Sequence, residues 1–297
     1  MLFVLLGALG LLLASGAASA WAGRRSERAS AWLGVSGAAA ACLAGLAAAL
    51  VALVLRTEGT RTFPWSMPYG AFTVGIDPLS AFFLIPTFLL SGLAAVYAVG
   101  YFRPWNGRNP GRFWLFYNAL IASMALVLLA RNGVLFLVAW EAMSLASFFL
   151  VIHDDAAEGV RDAGWTYLVA THIGTAFLLA LFIWLGRGGG SQDFAAFAVP
   201  AGSAGGLFLL ALIGFGTKAG LFPFHVWLPE AHPAAPSPVS AVMSGVMIKT
   251  GIYGIVRTLV LLGAVPVWCA WLVLGLGAVS GVLGVLFALA QRDLKRL

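Results

Sequence analysis

The chain has 297 residues, 61% of them hydrophobic and only 9% charged, with a mean hydropathy of +0.96. A soluble domain of this length carries far more surface charge, so composition excludes a water-soluble enzyme and points to a polytopic membrane protein. The net charge of +6 is scattered as single positives between apolar runs, which orients helices in a bilayer and does not build a nucleic-acid surface.

Apolar runs at about 1–20, 31–55, 78–101, 113–130, 133–152, 164–186, 205–222, 238–262 and 267–290 predict nine spans of an all-α transmembrane helix bundle. The runs are continuous instead of alternating, which argues against a β-barrel. The first ends in "ASGAASA", similar to a signal-peptide cleavage site, but its positives, Arg24, Arg25 and Arg28, follow the apolar stretch. That order predicts a retained span with the N-terminus outside. In this orientation the inner loops and ends hold Arg24, Arg25, Arg28, Arg103, Arg108, Arg112, Arg161, Arg292, Lys295 and Arg296. The outer side holds half as many, namely Arg56, Arg61, Arg131, Arg187 and Arg257. The longest connectors, 56–77 and 187–204, are short and contain Gly or Pro, so no separate soluble domain is expected. Cys42 and Cys269 lie far apart within apolar runs and are read as packing residues. They form neither a disulfide framework nor part of a zinc or iron–sulfur cluster.

Glu141 is the ninth residue of its run, roughly 12 Å from the start at ~1.5 Å per residue. Lys218 lies toward the inner end of 205–222, and Lys249 occupies the middle of 238–262. A charge at a helix centre costs on the order of 2.5–3.5 kcal/mol on insertion, so each needs a partner, water or a cavity. Two lysines and one glutamate on three spans leave one lysine over, which favours a polar pathway above a salt bridge that only glues helices. His172 is a fourth intramembrane candidate, either a hydrogen-bonded packing residue or a proton relay.

Beyond Lys218, "LFPFHVWLPEAHPAAPSP" holds Pro223, Pro229, Pro233, Pro236 and Pro238, which break any continuous helix after the seventh span. The segment marked by Pro223, His225, Pro229, Glu230 and His232 has two readings. It is either irregular backbone lining an ion site at membrane depth, or a cytoplasmic loop with Phe222, Phe224 and Trp227 as interfacial anchors. The spacing of His225, Glu230 and His232 matches no zinc motif, and no metal is expected. His153, Asp154, Asp155, Glu158, Arg161 and Asp162 read as a solvated turn. Ser80, Ser144 and Ser147 lack a His/Asp arrangement, and no phosphate-cradling or dinucleotide motif appears, so no catalytic residue and no cofactor is expected.

"GTKAGLFPFHVWLPEAHPAAPSPVSAVMSGVMIKTGIYGIVR", residues 216–257, and "LVAWEAMSLASFFLV", residues 137–151, resemble the antiporter-like membrane subunits of respiratory complex I and its relatives. With "YLVATHIGT", the likeness is greatest to the hydrogenase-4 and formate hydrogenlyase branch, and it runs from about residue 75 to the end. The resemblance implies a proton-translocating subunit of inverted five-helix repeats in the inner (plasma) membrane. It divides the chain into three N-terminal spans over 1–112, a first repeat over 113–262 and the start of a second over 263–297. It makes Glu141 and Lys218 a modulating pair, continues the hydrated axis through Lys249, and adds His172 as a further polar member. The partners it implies are other membrane subunits and a peripheral redox arm, with protons or sodium ions as the cargo. Relatives continue past "QRDLKRL" into a second repeat, so the remainder is expected downstream or on another chain. A multisubunit sodium/proton antiporter shares most of these motifs, and a purely structural membrane scaffold is the alternative of another class.

Overall fold

Helix boundaries follow local chemistry at the chain's caps and prolines. The structure, a computed structural model, describes residues 1–66, 70–102, 109–293 and 295, so Arg103, Arg108 and Arg296 of the orientation argument lie outside the described residues. Helix α1 (Leu2–Ala22) turns into α2 (Glu27–Val54), whose first turn is capped by Ser26 Oγ accepting from the Ala29 amide at 3.3 Å. Helix α3 (Pro78–Tyr101) starts on Asp77, which accepts from Ser80 N at 2.8 Å, with proline in the first turn. Asn109 and Asn132 cap α4 (Pro110–Leu129) and α5 (Gly133–Val151) in the same way. Next come α6 (Val160–Gly189) and α7 (Ala204–Ala219), the latter stopped by Gly220 at φ 74°. That left-handed position is one that glycine adopts without penalty.

The proline-rich stretch yields two short helices, α8 (Leu228–Ala234) and α9 (Ser237–Val242). A π-turn over Met243–Met247 joins α9 to α10 (Ile248–Leu262), and α11 (Val267–Ala290) follows. Among the described residues, eight helical stretches are long and apolar enough to cross a membrane. The 16-residue α7 is the ninth apolar segment and is shorter than a full span. The predicted seventh span therefore ends at Ala219, because Gly220 and the prolines beyond it stop the helix. The eighth is not a regular helix but carries the π-turn.

The connector 56–77 also holds a two-stranded antiparallel hairpin that sequence reading missed. β1 (Gly59–Phe63) pairs with β2 (Phe72–Ile76), with Phe63 opposite Phe72. Helix α4 lies at the centre of the bundle, and its Trp114, Tyr117 and Leu120 are wholly buried. Helix α11 stands off from the rest, with only Cys269 buried along its length.

Close approach of backbones brings α6, α7 and α10 together. A methyl group built on Gly251 of α10 would sit 2.6 Å from Phe215 O and 2.7 Å from Ala219 N of α7. One on Gly174 of α6 would sit 3.1 Å from Gly214 O. Small residues are how transmembrane helices obtain dense packing without a hydrophobic driving force, and here they wedge the last turn of α7 between its neighbours.

Candidate functional site

Lys218 lies on that last turn and is 1% exposed. Its Nζ donates to Ser144 Oγ of α5 at 3.0 Å and to Tyr167 OH of α6 at 2.8 Å. The amine also lies 5.1 Å from the Tyr167 ring centre and 5.8 Å from that of Trp140, within the range of cation–π attraction. Tyr167 OH hydrogen-bonds Ser147 Oγ, and Ser147 Oγ donates to Met143 O at 2.7 Å. In this conformation the hydrogen-bond partners of the lysine are neutral hydroxyls and not Glu141.

Glu141 sits one helical turn before Ser144 on α5, and its Oε2 is 3.3 Å from Nε2 of His172. His172 Nδ1 lies 2.9 Å from Leu168 O. A carbonyl oxygen only accepts, so Nδ1 carries a hydrogen. Nε2 then faces the carboxyl with one proton between them, held by the ring or by the acid. The other oxygen, Glu141 Oε1, is buried with no hydrogen-bond partner. Glu141 and His172 thus form one polar pair, and Lys218 with its hydroxyls forms a second, a turn away along α5.

Lys249 does not join them. It is exposed on the first turn of α10, and its Nζ donates to Ser244 O at 2.6 Å. Lys249 does lie midway along the span Ser237–Leu262, as expected, but its side chain is not buried among the described residues. The π-turn adds a residue to one turn, rotating the remainder of the helix by about 100°, and Lys249 reaches back to a carbonyl of that turn.

The broken segment folds back on α7. Trp227 is fully buried, and its Nε1 donates to Thr217 O at 2.8 Å, so it is a packing residue and not an interfacial anchor. Pro223, Pro229 and Glu230 are exposed. His225 stacks on Phe287 of α11 at 6.1 Å, and His232 Nδ1 lies 3.0 Å from Ser240 Oγ. Both histidines, with Ser244, Ser280 and Lys295, help line a cavity of about 570 Å³ between this segment and α11. Among the described residues no three His, Cys, Asp or Glu side chains converge, so His225, Glu230 and His232 make no common centre. The acidic turn after α5 is only partly solvated, since the His153 ring packs edge-on against Phe102 and Phe113 at 5.5 Å.

The sequence weighs Ser144 and Ser147 only as nucleophiles and does not single out Tyr167, although a signal is present: Glu141, Ser144 and Ser147 recur every three residues on one helical face. A second cluster was also missed because Arg131 and Arg257 had been counted as orienting charges. Arg257 Nη1 and Nη2 reach Asp77 at 2.6 and 2.8 Å, and Arg131 Nη2 lies 3.3 Å from the same carboxylate. Burial raises the Asp77 carboxyl, but Arg257, Arg131 and the Ser80 amide more than offset this and hold it well below the usual carboxylate range.

Residues 130–297 match the family model described as "NADH:quinone oxidoreductase/Mrp antiporter, TM". The chain is 43% identical over 235 residues to hydrogenase-4 component B of Escherichia coli (strain K12), covering 77% of this chain and 35% of that protein. It is 31% identical to formate hydrogenlyase subunit 3 of the same organism, covering 76% and 36%. It therefore spans about a third of the length of these relatives. Among solved structures it superposes on a chain of the Mrp complex from Dietzia sp. DQ12-45-1b with a TM-score of 0.83 at 27% identity, over 99% of this chain and 32% of that one. It also matches a chain of respiratory complex I from Thermus thermophilus with a TM-score of 0.73 at 25% identity, over 98% and 60%.

Proposed function

We propose a function from one premise: the chain belongs to the NADH:quinone oxidoreductase/Mrp antiporter transmembrane family. It is the proton-translocating part of a membrane complex of the complex I or hydrogenase-4/formate hydrogenlyase type, coupling redox chemistry in partner subunits to proton movement. The complex sits in the inner (plasma) membrane, with the N-terminus of this chain outside and other membrane subunits and a peripheral redox arm as partners. The chain itself performs no redox step; it receives, holds and releases protons.

One observation carries this reading. Lys218 is sealed within the bundle, 1% exposed, with neutral partners and with a carboxylate one turn away that is paired elsewhere. A buried amine without a counterion is costly, and the approach of a carboxylate changes how tightly it holds its proton. Glu141 has two candidate partners, His172 and Lys218. Moving from one to the other would load or unload the lysine. Carrying one charge against ~100 mV costs about 2.3 kcal/mol, within the reach of making or breaking one buried ion pair.

Lys218→Met in the assembled complex, reconstituted in proteoliposomes with a pH-sensitive dye, is expected to abolish proton movement while leaving assembly intact. Undiminished movement would refute the reading. The likeness to the Mrp complex supports a second reading, a subunit of a multisubunit Na+/H+ antiporter. Sodium-driven proton flux without any electron donor would favour it.

A further inference from the structure

We propose that Ser144, Ser147 and Tyr167 form a hydroxyl seat that holds the Lys218 amine in both of its charge states, so that Ser144 and Tyr167 are positioning residues for proton movement. The inference rests on the proton-carrying role given to Lys218 above.

Lys218 donates to Ser144 Oγ and to Tyr167 OH. Ser144 Oγ donates its own hydrogen to Trp140 O at 3.1 Å, so toward the lysine it is an acceptor. Ser147 Oγ donates to Met143 O and Ser144 O, at 2.7 and 3.0 Å, so it accepts from Tyr167. Tyr167 therefore takes an ammonium hydrogen on its lone pair and points its own hydrogen at Ser147 Oγ, with Met247 Sδ at 3.8 Å as a second, weaker acceptor. When the amine is neutral, the phenol hydrogen can turn toward the Nζ lone pair, because a hydroxyl both donates and accepts. Ser147 keeps its bond to Met143 O throughout. A carboxylate offers only half of this: it holds the ammonium but has no hydrogen to give a neutral amine.

Burial makes the seat necessary. Ser144, Ser147 and Tyr167 are each 0% exposed, so water is no substitute partner in this conformation. A neutral lysine paired only with a carboxylate would have its nitrogen lone pair buried without a donor at the moment of proton release. With the hydroxyls it stays in place, and Glu141 is free to engage His172, as it does here. The seat draws on α5, α6 and α7 together, so it also reports whether those helices are in register.

The test measures proton movement by the whole assembled complex in proteoliposomes, with the amount of complex determined alongside. Tyr167→Phe and Ser144→Ala, each losing one hydrogen bond to the amine, are expected to slow proton movement about tenfold at normal assembly. Ser144→Thr, which keeps the hydroxyl, is expected to recover what Ser144→Ala loses, and a merely structural serine would not show that dependence. If Tyr167→Phe fails to assemble, the Ser144→Ala and Ser144→Thr pair decides. Wild-type movement in Tyr167→Phe or Ser144→Ala beside a dead Lys218→Met would overturn the seat and leave the lysine's role standing. Undiminished movement in Lys218→Met itself would remove the premise, and the seat with it.

Discussion

Arg257 grips both oxygens of Asp77, at 2.6 and 2.8 Å, across 180 residues of sequence. The contact ties α10, which bears Lys249, to the start of α3. Arg131 adds a third charge, and Tyr253 OH closes the cluster by donating to Leu128 O at 3.0 Å and accepting from Arg257 Nε at 3.1 Å. Arg257 is buried and Asp77 partly so, and the bidentate ion pair with its hydroxyl neighbours fixes one geometry.

Replacing the carboxylate by a neutral amide leaves two guanidinium groups facing each other without a counter-charge. Asp77→Asn is expected to cost about 3 kcal/mol, in the range for an uncompensated buried charge. Thermal unfolding in detergent measures it. Replacing both Asp77 and Arg257 by leucine should cost less than the two single substitutions added together.

The same pair has a pH signature. The folded carboxyl of Asp77 is held below its ordinary value of 3.8, so its contribution to stability is complete above that value. It is lost as pH falls below 3.8 toward the depressed folded value, because the unfolded chain then binds the proton first. Unfolding temperature followed from neutral pH downward should stay level in this component and then drop. Asp77→Asn should lack that part of the drop.

At the proton site, Glu141→Gln keeps the shape but removes the charge that His172 and Lys218 would exchange. Loss of a charge-assisted hydrogen bond is worth roughly ten- to hundredfold in a rate that depends on it. Proton movement should fall by that factor with assembly unchanged. An unaltered rate would show that Glu141 only packs.

Gly251 is where α10 touches the backbone of α7. A methyl there would meet Phe215 O at 2.6 Å and Ala219 N at 2.7 Å, neither of which is a movable side-chain end. Gly251→Ala should therefore destabilise by about 1–3 kcal/mol as the helices part. It should also slow proton movement, because the last turn of α7 carries Lys218. Thermal unfolding and the dye assay read the two effects separately.

Trp227→Phe keeps an aromatic ring but leaves Thr217 O without its indole donor. A loss of about 1 kcal/mol is expected from one buried hydrogen bond. Protease cleavage in the segment between α7 and α8 should quicken, since that bond pins the segment to α7.

The membrane class, the nine apolar segments and the break after the seventh were legible in the sequence. Long apolar runs, isolated charges and clustered prolines act locally, and the bilayer penalises every alternative. Glu141, Lys218 and His172 could be picked out for the same reason, since a polar group in an apolar run is conspicuous on its own. Their pairing could not. Which partner Glu141 takes depends on how α5, α6 and α7 pack, and serines or a tyrosine on a helix face carry no mark of the amine they will meet. Lys249 stands in mid-span yet is exposed and reaches back to a carbonyl of the π-turn, a local geometry that propensities do not encode. Arg131 and Arg257 looked like loop and helix-end charges, and only the meeting of distant segments at Asp77 turned them into a buried clamp. Composition and local chemistry thus determined where the chain crosses the bilayer. Tertiary packing decided which buried charges touch, because the energy of a polar contact in a dry interior is set by a few ångströms that no linear spacing specifies.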